Sequence, residues 1–113
     1  MSATTSGGDT NTIVAVTERD IRAACEYLFV HSLRDTPGCY HVYGESGAQY
    51  FVDLRSGMCT CEDAQYRCPD GGCKHRRRVE FELGEREIPG CIKEHDMDPR
   101  LVDALDSVVG EDA

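Results

Sequence analysis

The chain has 113 residues and seven cysteines, and its 21 acids against 12 bases leave a net charge of -9. That length is one domain, and that charge disfavours nonspecific contact with nucleic acid or with an anionic membrane. Residues 1–12 carry no basic n-region and Ile13-Val14-Ala15-Val16 is too short for an h-region or a membrane span, so a soluble, cytoplasmic protein with mostly reduced thiols is expected.

Residues 1–12, MSATTSGGDTNT, read as a disordered tail because they hold nothing to bury. A single small domain is expected over 13–109, with a short tail at 110–113. Thr17 has N-cap chemistry, and Glu18 and Asp20 put acids in the first turn, where the helix dipole favours them. Ile21, Ala24, Cys25, Leu28 and Phe29 recur at helical spacing. They predict a helix to about Leu33 or Arg34, stopped by Thr36-Pro37-Gly38, with Cys25 packed as a small hydrophobe. Cys39 to Tyr43 and Gln49 to Leu54 are rich in aromatic and β-branched residues around Gly44-Glu45-Ser46-Gly47, which predicts a β-hairpin. His75 to Leu83 predicts a short helix ended by Gly84. Asp98-Pro99 opens a last amphipathic helix carrying Leu101, Val102, Leu105, Val108 and Val109. The expected class is α+β.

An odd number of cysteines argues against a fully paired disulfide framework, so metal ligation is the leading use for clustered thiols. Cys59-x-Cys61, eleven residues, then Cys73-x-His75 supplies three thiols and an imidazole, the ligand set of a closed structural site for one zinc ion. Residues two apart point the same way on an extended chain, so Cys59 and Cys61 can face one ion at a strand end. On a helix they diverge by roughly 200 degrees. Cys73 is therefore expected in the loop made by Gly71-Gly72, with His75 in the first turn of the helix. Cys68 lies inside the gap and could replace His75 in an all-sulfur site; the Cys-x-His spacing favours His75. His31, His41 and His95 stand alone in sequence and read as surface or packed histidines.

The Cys-x-Cys, gap, Cys-x-His pattern resembles the SWIM zinc finger. Tyr40-His41-Val42-Tyr43-Gly44-Glu45-Ser46-Gly47 and Tyr50-Phe51-Val52-Asp53 resemble the hairpin of small acidic haloarchaeal proteins with this finger, and the -9 charge suits hydration at high salt. The resemblance covers about half the chain. It implies a ββα-like finger at about 39–83, a hairpin and a helix around one structural zinc, here flanked by the two amphipathic helices. It also implies a non-enzymatic role in protein interaction, within a DNA-associated complex. Four ligands leave zinc no open position, and no serine-histidine-acid set or phosphate-binding glycine loop is present.

Arg67, Lys74, Arg76, Arg77 and Arg78 surround the ligands in sequence. One reading is charge balance: they offset the thiolates, and Arg76 with Glu80 and Arg78 with Glu82 are i,i+4 pairs. On that reading Arg77, with Phe81 at i+4, is dispensable for folding. The other reading is a contact face for phosphate, making the chain an independent DNA- or RNA-binding protein. Neutralising four phosphates would give a salt slope of about -3.6, so binding would fall roughly 10^4-fold between ~0.2 M and ~3 M salt. That favours a protein partner, with nucleic acid reached through a larger complex. A third reading makes Cys39, Cys68 or Cys91 part of a thiol-redox or metal sensor. Glu62 and Asp63 read as solvated acids.

Overall fold

The computed structural model describes residues 16–112; the expected tail at 1–12 lies outside them. Helix α1 spans Glu18–Cys25. Thr17 Oγ1 accepts from the Asp20 amide, and the Asp20 carboxylate takes the Thr17 N–H, each at 3.2 Å. This reciprocal capping box satisfies two amides that the first turn leaves open.

The helix stops far short of Leu33. Glu26 is already extended, and Leu28–Ser32 is strand β1. Leu28 and Phe29 fit both a helical stripe and an alternating strand, and tertiary pairing decides between them. β1 aligns antiparallel with β2 (Cys39–Gly44), Phe29 opposite Tyr43 and His31 opposite His41. β2 pairs with β3 (Gln49–Asp53), Tyr40 opposite Val52 and Val42 opposite Tyr50. β3 pairs with the two-residue β4 (Met58–Cys59). The expected hairpin is thus the centre of a four-stranded antiparallel sheet in the order β1-β2-β3-β4.

A π-helical turn (Asp63–Arg67) follows, then α2 (Lys74–Leu83), a short 3-10 turn at Glu94–Asp96, and α3 (Pro99–Asp112). The backbone of 110–112, expected as a short tail, continues α3. No helix among the described residues is long and apolar enough to cross a membrane.

α2 divides the core in two. Val79 packs with Leu28, Val42 and Val52 of the sheet, and with Cys59, Cys61 and Cys73. Phe81 packs with Ala23 and Ala24 of α1, Ile92, and Leu101 of α3. Cys25 is partly buried against this second cluster, as a small hydrophobe would be.

A buried ion pair joins the two halves. Arg78 and Asp98 are both 0% exposed and are hydrogen-bonded to each other. Arg78 also donates to the carbonyls of Ala23 (3.2 Å), Glu26 (2.9 Å) and Leu28 (2.9 Å) and to Glu82 (2.9 Å). Asp98 accepts from the Leu28 amide at 3.0 Å, and its own amide donates to Ala24 O at 2.9 Å. These bonds satisfy the backbone where α1 gives way to β1, a place where unmade hydrogen bonds would be costly.

Candidate metal centre

Cys59, Cys61, Cys73 and His75 are all buried, and their donor atoms lie within 4.8 Å of one another. β4 delivers Cys59, and the chain leaving it delivers Cys61. Cys73 is the N-cap of α2 and His75 lies in its first turn, so a strand end and a helix start meet at the cluster. Gly71 and Gly72, at φ 83° and 94°, turn the chain into Cys73 through backbone conformations that suit only glycine. A Cβ on Gly72 would lie 2.5 Å from Arg76 Cδ. Gly72→Ala is therefore expected to cost about 1–3 kcal/mol and to weaken metal retention, read by thermal melts and metal content.

His75 turns Nδ1 toward the sulfurs of Cys59 (3.8 Å) and Cys73 (3.9 Å). Its ring stacks on Tyr50, centroids 4.2 Å apart, which fixes its plane. A tetrahedral zinc site with bonds of about 2.3 Å to sulfur and about 2.0 Å to nitrogen needs sulfur-nitrogen edges of about 3.5 Å, so the observed edges fit after a contraction of a few tenths of an ångström. Nε2 is buried without a hydrogen-bond partner among the described residues, and ligation through Nδ1 would place the ring proton there.

The sulfurs also fit a cation chemically. Hydrogen bonds from Cys59 and Cys61 hold the Cys73 thiol well below its ordinary pKa, helped by its place at the start of α2. Hydrogen bonding to Cys61 and Cys73, with burial, pushes the Cys59 thiol far up. Bringing the sulfurs this close sets the Cys59 and Cys73 thiols in opposite directions, and a divalent cation is what would let thiolates gather there. The Ala64 amide points at Cys61 Sγ at 3.4 Å.

Cys68 is not in the cluster. It is exposed, at φ 44°, with its sulfur 3.8 Å from the Gln65 carbonyl. Cys68→Ser is expected to leave metal content unchanged, and loss of the metal there would move the fourth ligand. Cys91 is exposed, and Cys39 is buried with its sulfur 3.5 Å from Arg55 Nη2. His31 and His41 lie on the sheet, and His95 is exposed in the 3-10 turn.

The arginine run divides between partly exposed and buried side chains. Arg76 pairs with Glu80 at 3.2 Å, as the i,i+4 spacing requires. Arg77 is buried, not displayed: it donates to Asp20 (2.7 Å), Thr17 (3.2 Å), Gly72 O (2.8 Å) and Asp70 O (2.7 Å). It locks the Gly71-Gly72 loop to the start of α1 and is structural, contrary to the expectation that folding could dispense with it. Arg78 pairs with Glu82 as expected, but is also fully buried on Asp98. Arg77 and Arg78 are thus both buried on partners within the fold. Lys74 pairs with Glu26 at 2.7 Å, and exposed Arg67 lies 3.5 Å from Asp63.

Asp63 is not the solvated acid that its place in the sequence suggests. Both of its oxygens accept from Arg19, at 2.8 and 2.9 Å, and that bond lowers its pKa to about 2. The contact ties α1 to the turn beside Cys61. Asp20 was legible only as a first-turn acid and Asp98 only as a cap; their arginine partners lie 57 and 20 residues away. A signal did exist for Arg78: it is three residues after His75 and three before Phe81, on a face that must be buried if those two are.

Fold and site together define an α+β domain in which an antiparallel four-stranded sheet and helices gather three cysteines and a histidine into a buried cluster that could hold a metal ion. Comparison with protein-family models, curated proteins and solved structures finds no match.

Proposed function

We propose that the cluster holds one zinc ion per chain as a structural site, and that the chain is a SWIM-type interaction module without enzymatic activity, contacting protein within a DNA-associated complex. The observation that carries this reading is the convergence of four buried donors, three sulfurs and one imidazole. Thiolate and imidazole ligands suit zinc, and four protein ligands complete its tetrahedral set, which supports a structural role. Zinc bound there would clamp β4 to α2 and fix the surfaces that both elements carry.

A protein partner is favoured over direct phosphate contact by the two buried arginines and by the acid partners of Arg76, Arg67 and Lys74. Affinity purification of the metal-loaded chain at native salt, with and without nuclease, tests the reading. Partners that survive nuclease are the expected result. Loss of every partner on nuclease treatment would make nucleic acid the direct target.

A further inference from the structure

We propose that the outer face of the sheet, from Tyr27 through Phe29 to Tyr43, docks an arginine-bearing segment of a basic partner protein; this rests on the protein-interaction reading above.

Most of the sheet's buried side chains lie on one face, with Cys39 at the start of β2 the exception. Val42, Val52 and Leu28 point into the core with Val79. The alternate residues Phe29, His31, His41, Tyr43 and Phe51 point the other way, and none of them belongs to either buried cluster. They form a continuous belt of rings. Phe29 and Tyr43 are direct cross-strand partners with centroids 6.1 Å apart. His41 and Phe51 are partners at the same 6.1 Å. Phe29 is 50% exposed, and Tyr27, just before β1, is 52% exposed.

Charge selects the occupant. The chain carries -9, yet the belt has no acid of its own, and neighbouring Asp53 is paired with Arg55. Glu45, in the turn after Tyr43, is exposed and in no ion pair among the described residues. Glu45, Tyr27 and Glu26 line one shallow cleft of about 280 Å³. The Tyr27 ring beside an unpaired carboxylate on an acidic protein favours a cation, and the rings of Phe29 and Tyr43 continue from it along β1 and β2. A guanidinium stacks flat on a ring and still reaches a carboxylate; an ammonium does this less well. The protein already makes this contact once, with Arg100 5.2 Å from the Tyr27 ring centroid.

Other occupants fit less well. Three strands about 4.8 Å apart and five residues of about 3.3 Å give a belt of roughly 15 by 17 Å. That is far below the roughly 800 Å² per partner of a stable dimer. Single-stranded nucleic acid could stack its bases on the rings, but its phosphates would meet Glu45 and the negative field of the chain.

The test is an NMR titration of the full, metal-loaded chain at low salt. The probes are a peptide of alternating glycine and four arginines, its lysine counterpart, and an oligothymidylate. The arginine peptide is expected to shift β1 and β2 amides around Phe29 and Tyr43 and to bind more tightly than the lysine peptide. Phe29→Ser with Tyr43→Ser should lower its affinity about tenfold, with amide dispersion and metal content unchanged; Glu45→Gln should lower it less. Shifts confined elsewhere, equal affinity in the double variant, tighter binding of the oligothymidylate, or self-association that the double variant abolishes would each overturn the proposal. A nuclease-resistant partner still captured by the double variant would overturn the ring face alone and leave the interaction reading standing. A parent chain that captures no protein would remove that reading, even if the peptide binds.

Discussion

Stripping the metal with a chelator is expected to unfold the segment from β4 through α2, and with it most of the domain. Three of the four ligands are also core residues: Cys59, Cys61 and Cys73 share one cluster with Leu28, Val42, Val52 and Val79. Between β4 and α2 few other residues are buried. β4 is two residues long, and no residue of the π-helical turn is buried. Structural zinc contributes an apparent ~10–16 kcal/mol in small fingers near neutral pH, against about 5–15 kcal/mol for the total stability of a domain. Removing a contribution of that size leaves no margin. Without a cation, three thiols and an imidazole would also sit buried together with nothing to coordinate. Far-ultraviolet circular dichroism and amide dispersion should both collapse on chelation and recover with added zinc. A chain that keeps its dispersion after complete metal removal would show that packing alone suffices.

Arg78→Ala is expected to be the most damaging substitution outside the ligands. Breaking a buried ion pair by removing one partner costs about 3–5 kcal/mol, because the other charge is left buried and unpaired. Here the loss goes further, since three backbone carbonyls lose their donor as well. Chemical denaturation should show at least that loss, and room-temperature unfolding is expected if the parent lies at the low end of domain stabilities. In many proteins a buried pair can be exchanged for hydrophobes at little cost. Arg78→Met with Asp98→Leu should not be such a case, because the amide of Leu28 and the carbonyls around it would remain unsatisfied. A double variant as stable as the parent would refute the backbone-satisfying role.

The same network gives a pH dependence with a definite sign. Burial works to raise the Asp98 pKa, but hydrogen bonds from Arg78 and from the Leu28 and Arg100 amides outweigh it and hold the pKa below 3.8. Asp98 therefore contributes stability that is fully present above the unfolded-state value and is lost as pH falls through the lower folded value. Glu82, on the same arginine, is shifted the opposite way: burial raises it above 4.5, with Arg78 only partly offsetting. As pH falls, Glu82 takes up a proton first, which favours the folded state, and Asp98 follows at lower pH, which disfavours it. Denaturation midpoints of the parent and of Glu82→Gln should thus converge as pH drops toward 4. A Glu82→Gln difference that widens with acid would reverse the assignment.

The hairpin, the helix after the ligands and the start at Asp98 were legible in sequence because each rests on local chemistry: alternation around a glycine-rich turn, Gly84 at a C-cap with φ 75°, and an acid before proline. The cysteine-histidine cluster was legible for the same reason, since its members pair at a spacing of two. Strand β1 was not, because Leu28 and Phe29 satisfy both periods and the choice depends on β2, Arg78 and Asp98 arriving from elsewhere. The buried arginines were missed on similar grounds. A run of three cations looks like a solvated face until Asp20 and Asp98 are folded against it, and only the resulting geometry shows which guanidiniums are covered.

X-ray absorption at the metal edge of the purified chain tests the central claim most directly. The account predicts one zinc per chain, with three sulfurs at about 2.3 Å and one nitrogen at about 2.0 Å, unchanged in Cys68→Ser and reduced to a three-sulfur or empty site in His75→Ala. A four-sulfur shell in the parent, an iron signal, or a chain purified without any metal would contradict it.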